Sequence, residues 1–183
     1  MDVSRMVKKA TSSIIFMAIT ALLGLTLLLD VFTLISIFGE RFEFQILIPY
    51  ILGIAADVCL LLYALNSHGT KGSKISAYLY FIITAASSLI SIINQKRFGF
   101  APGGVTVSAL FIVITLSVVA CLFFKVRGLP VIAIGGLVLI SNVISVVRTM
   151  VEIGAFFGLV PFISLVIPVF TFPVACYLVA TDK

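Results

Sequence analysis

Asp57 stands inside the apolar run GIAADVCLLL, more than two helical turns from any polar break in the chain. A charged side chain at the centre of a membrane helix costs about 2.5–3.5 kcal/mol on insertion scales. A carboxyl kept there is therefore a candidate for cation binding or proton relay. The plainer reading is a protonated acid hydrogen-bonded to a neighbouring helix. Gly53 lies four residues earlier, so a small residue and the carboxyl share one helix face. Asp30 is the second such group, with Thr26 at i−4 and Thr33 at i+3. Together these form a polar face of about one and a half turns, either within the bilayer or at its interface.

Two further stripes surround these acids. Gly135, Asn142, Ser145, Thr149 and Glu152 recur at helical spacing, with Arg148 one turn before Glu152. Ala77, Tyr80, Thr84, Ser87, Ser91 and Asn94 repeat the pattern upstream. In lipid, such stripes face the protein interior or a water-filled cavity. Both become more polar toward the ends carrying Asn94, Arg148 and Glu152, at a depth comparable with Asp30. Asp30, Asp57, Asn94, Asn142, Arg148 and Glu152 are thus the candidate solute-binding residues. A pocket with one cation and two carboxylates would suit a small zwitterionic or charged solute. The same groups could close as an Arg148–Glu152 or Arg148–Asp30 ion pair that holds a bundle together, and small residues on packed helices need no ligand at all.

Other chemistries find little footing. His68 is the only histidine, in the polar segment SHGTKGSK, and Cys59 sits too deep to serve it as a nucleophile. HExxH, GxSxG, Walker A, paired-cysteine and dinucleotide-loop motifs are lacking. One histidine and scattered carboxylates make no metal cluster. No enzyme, metal or cofactor is expected. Cys59, Cys121 and Cys176 all fall in apolar segments, as small packing residues would.

These groups must be positioned by membrane helices. Of the 183 residues, 62% are hydrophobic and 10% charged, and the mean hydropathy is +1.31. A soluble domain would carry roughly a quarter charged residues. Six apolar runs, near 13–38, 45–65, 75–93, 105–124, 129–151 and 159–180, are each long enough to cross a hydrocarbon core of about 30 Å. The expected fold is all-α, a single polytopic transmembrane bundle over residues 1–183. The first run is too long for the hydrophobic core of a cleaved signal and reads as a retained helix. Short polar breaks predict antiparallel neighbours. Pro168 and Pro173 predict a kinked or broken sixth helix.

Eight lysines and arginines fall on the side of the two termini and four on the other, which predicts cytoplasmic termini. The net charge of +5 is dispersed between spans, so nucleic acid is not an expected partner. Short loops without a large external domain fit a bacterial inner membrane. In size, helix number and inward termini the chain resembles, at the level of architecture, the substrate-binding subunits of energy-coupling-factor vitamin transporters. An alanine-rich coupling signature in the first helix is lacking, and no residue role carries over. The leading expectation is binding or transport of a small solute through an outward-facing polar pocket. The protein would act alone, with a second copy, or as the membrane subunit of a larger transporter. The competing expectation is a structural or accessory membrane protein, with small-residue faces at Gly24, Gly53, Ala85, Ala86, Gly135 and Gly136. A channel ranks last, because polar residues thin out toward the cytoplasmic half.

Overall fold

The computed structural model describes residues 3–38, 44–66, 71–98, 102–126, 128–152, 163 and 166–181. Within them the chain is helical, without a strand. The helices are α1 (Val3–Phe38), α2 (Phe44–Asn66), α3 (Lys71–Phe98), α4 (Pro102–Phe123), α5 (Leu129–Glu152) and α6 (Thr171–Thr181). A 3₁₀ turn over Ile167–Phe170 leads directly into α6. Five segments are long and apolar enough to span a bilayer: Ile14–Ile35, Leu47–Leu65, Ile75–Asn94, Val105–Phe123 and Leu129–Arg148. This is an integral membrane protein of all-α class. The apolar stretch Ile167–Thr181 rises only about 22 Å if helical throughout, short of a full hydrocarbon core. The remainder of the expected sixth span lies outside the described residues.

The break expected at the prolines is present. Pro168 sits in the 3₁₀ turn and Pro173 in the first turn of α6, where its missing N–H is tolerated. Its effect is felt one turn back, since an N–H at position 173 would otherwise bond the carbonyl of Val169. That carbonyl instead accepts a bond from Asn142 Nδ2, at 3.3 Å. A side chain on α5 thus satisfies the acceptor that proline leaves open, and the bond ties α5 to the 3₁₀ turn. Gly135 supports the same junction, because a Cβ added there would lie 2.8 Å from Cys176 Cβ and 3.5 Å from Pro173 Cα.

Helix α2 packs against α1 and α3, α3 against α4, and α5 against α6. The core forms where α2, α3 and α6 converge, around Leu60, Tyr63, Phe81, Phe172 and Cys176. Phe172 carries α6 into the bundle, meeting Phe81 edge-on at a centroid distance of 5.6 Å and Phe111 of α4 at 5.1 Å. One expected neighbour pair is an exception, since α4 and α5 make few contacts despite the tight turn that joins them. That turn is a Schellman motif. Val126 N–H bonds Cys121 O at 2.8 Å, Lys125 N–H bonds Leu122 O at 3.1 Å, and Lys125 is left-handed at φ 58°.

A β-carbon in this conformation is unfavourable by about 1 kcal/mol. Lys125→Gly should therefore be more stable than Lys125→Ala by about that amount. Thermal melts of the two variants isolate the backbone effect, because both lose the same charge. Equal melting temperatures would show that the turn is not left-handed in solution.

Candidate functional site

The helices enclose a cavity of about 590 Å³, within the size range of small-molecule sites and far larger than one desolvated ion requires. Each helix contributes to its wall. Helix α1 supplies Thr26 and Asp30, one turn apart on one face, and α2 supplies Gly53, Ala56 and Asp57. Tyr80, Thr84, Ser87 and Ser88 come from α3, and Val107, Ser108, Leu110, Phe111 and Ile114 from α4. Leu137, Val138, Ser141, Asn142 and Ser145 line it from α5, and Pro168, Thr171 and Phe172 from the last turn and α6.

Asp57 is buried at the middle of its span, Leu47–Leu65. Asp30 is half-buried, about 7.5 Å along the helix axis from Ile35, where its span ends. Both carboxyl groups line the cavity from helices that pack against each other, and two bare carboxylates sharing one cavity would repel without a counter-charge. Tyr80 is buried beside Asp57. No lysine, arginine or histidine is among the described residues that line the cavity.

Most hydroxyls of the wall are occupied locally. Thr26 donates to Leu22 O at 3.0 Å, Thr84 to Tyr80 O at 2.7 Å, Ser88 to Thr84 O at 3.0 Å, and Ser87 across to Pro49 O at 3.2 Å. Each of these oxygens keeps acceptor capacity toward the cavity. Thr171 differs. Its side chain is 7% exposed and its Oγ1 is buried with no hydrogen-bond partner among the described residues. A buried hydroxyl without a partner costs about 1–3 kcal/mol.

Of the six residues that the sequence nominates, Asp30, Asp57 and Asn142 line the cavity. Asn94 is half-buried on α3 and Arg148 exposed on α5, and neither is part of the described lining. The side chain of Glu152 lies outside the described residues, as do Thr149 and His68. The basic group expected within the pocket is thus elsewhere, whereas the acids are together. The physical reason is depth. Arg148 shares a face with Ser145 and Ser141, three and seven residues earlier, but it is the last residue of the span Leu129–Arg148, beyond the described lining.

Sequence reasoning missed Thr171, Ser108, Ser141 and the two phenylalanines, Phe111 and Phe172. Ser108, Phe111 and Thr115 recur at helical spacing in α4, which is a usable signal. Thr171 is adjacent to no polar stripe and is visible only in three dimensions.

Asn142 faces the cavity but its amide already serves Val169 O. Asn142→Ala should cost about 0.6–2 kcal/mol, the range spanned by hydrogen bonds in membrane bundles. Thermal melts would show this as a lowered midpoint. A midpoint equal to wild type would mean that Val169 O is solvated by other means. No protein-family model, curated protein or solved structure matches this chain.

Proposed function

We propose that this membrane protein binds a small organic cation, with an ammonium group set against the Asp30–Asp57 pair. One observation carries the reading: two carboxyls line one cavity of about 590 Å³ whose described lining has no basic residue. In a low-dielectric setting such an acidic wall strongly favours a cation over an anion. Tyr80, Phe111 and Phe172 add aromatic walls, and aromatic rings attract quaternary and primary ammonium groups. Because Arg148 is outside the described lining, a zwitterion would find no basic partner for its anionic half among the described residues of the wall.

The protein would act alone or as the membrane subunit of a larger transporter, in a bacterial inner membrane with both termini cytoplasmic. In that orientation the C-terminal half of α1, with Asp30, is directed outward, and the cavity runs from mid-depth toward the outer face. Pure helix packing is a weaker reading. A Cβ at Gly24, Gly53 or Gly136 would meet nothing within 4 Å, and only Gly135 makes a close approach among these.

The test is thermal stability of purified protein against ethanolamine, choline, putrescine and tetramethylammonium, with acetate and glucose as controls. Wild type should be stabilised by at least one cation and by neither control. If every cation leaves the wild-type midpoint unmoved, the reading fails.

A further inference from the structure

The cavity has a side entrance within the membrane. Three residues of its wall are more than half exposed: Val107 at 65%, Leu110 at 59% and Leu137 at 68%. A residue that both lines a cavity and is mostly exposed belongs to its mouth. Val107 and Leu110 are on α4 and Leu137 on α5, the two helices that are joined by a tight turn yet make few contacts. All three fall inside membrane spans, and Leu137 is close to the middle of Leu129–Arg148. The mouth therefore opens where hydrocarbon surrounds the protein. Its rim combines these aliphatic side chains with the exposed Ser141 and Ser145 of α5, whereas the opposite wall carries Asp30 and Asp57 from α1 and α2.

The geometry points to an amphiphilic ammonium compound as the ligand, one that enters from the bilayer between α4 and α5. This rests on the cation-binding reading above and deepens it by naming the ligand's second half. The headgroup passes the rim to reach the two carboxyls of the opposite wall. The alkyl chain remains between Leu110 and Leu137, with its far end in lipid. Charge complementarity selects the head, and the aliphatic side chains of the rim select the tail. A hydrophilic amine would gain nothing from these side chains, whereas an alkyl chain already dissolved in the bilayer loses no favourable surroundings there.

The probes are tetramethylammonium, hexyltrimethylammonium and decyltrimethylammonium, each below its micelle concentration. They are titrated against the full chain in mild detergent and, separately, in phosphatidylcholine nanodiscs. Unfolding is followed by a thiol-reactive fluorophore, since Cys176 is fully buried and Cys59 and Cys121 are partly so. Apparent affinity, counted on total probe, should rise at least about tenfold from the methyl to the decyl compound, because each methylene favours transfer from water into the apolar phase from which the probe enters. Asp57→Asn controls for partitioning of the probe into detergent or lipid, which that substitution leaves unaltered. Leu137→Trp, at a lipid-exposed position that tolerates bulk, should lower the ratio of decyl to tetramethyl affinity by about tenfold. Leu110→Trp should do the same from the facing helix.

If all three probes bind wild type equally, or if neither tryptophan variant alters the ratio, lateral entry is overturned while cation binding stands. If none stabilises wild type beyond Asp57→Asn, the cation-binding reading itself falls. A dimer in nanodiscs that Leu137→Trp dissociates would show the rim to be a contact between two copies, and would also overturn the proposal.

Discussion

Asp57→Asn is expected to abolish stabilisation by ammonium compounds while the protein remains folded. The asparagine amide can donate to the Asp30 carboxylate, so the contact between α1 and α2 is kept and stability should change by no more than about 1 kcal/mol. One of the two negative charges that face a cation is lost. A close charge pair is worth about 1–4 kcal/mol between bulk water and a partly screened protein site, so affinity should fall roughly ten- to a hundredfold. Asp30→Asn should act in the same direction. The double variant should lose little more than either single one, because the two carboxyls act as one unit. Asp57→Leu separates the roles, since it removes both the charge and the polar group and should lower the melting midpoint as well. Titration calorimetry with tetramethylammonium reads the affinity, and circular dichroism the fold. Additive losses in the double variant would show that the carboxyls serve separate sites.

Gly135→Ala is the second large effect expected, and it concerns the wall rather than the ligand. The added methyl would lie 2.8 Å from Cys176 Cβ and 3.4 Å from its Sγ, closer than two carbons can approach without movement. Overpacking of this kind costs about 1–3 kcal/mol. It should also lengthen the Asn142–Val169 bond that ties α5 to the turn before α6. The origin of the cost can be assigned by second-site variants. Cys176→Ala keeps the offending Cβ and should not rescue Gly135→Ala. Cys176→Gly removes it and should restore most of the lost stability relative to its own single variant. Melting midpoints of wild type, the three single variants and the two double variants decide the matter. Rescue by Cys176→Ala would shift the blame to sulfur and away from the close approach of the two helices.

Membrane-spanning helices, the polar faces of α1 and α3, and the pairing of a small residue with Asp57 were all legible in the sequence. They depend on local composition and on the 3.6-residue period, which a linear chain displays directly. Partnership across helices is another matter. Periodicity fixes which residues of α5 share a face, but not how far along that face the cavity reaches. Asn142 and Arg148 were accordingly grouped together, whereas Asn142 lines the cavity and Arg148 does not. The gap between α4 and α5 runs against expectation, since a short connection ordinarily brings two helices together. That Asp30 and Asp57 line one cavity depends on how far α1 is turned against α2, which no spacing reveals.

Asp30 and Asp57 belong to helices that follow one another in the chain and pack together. As the chain is made, both acids enter the bilayer before α3 to α6 exist to form the other walls of the cavity. Thr171 and Phe172 come after every other element of the wall and close the chamber once the acids are in place.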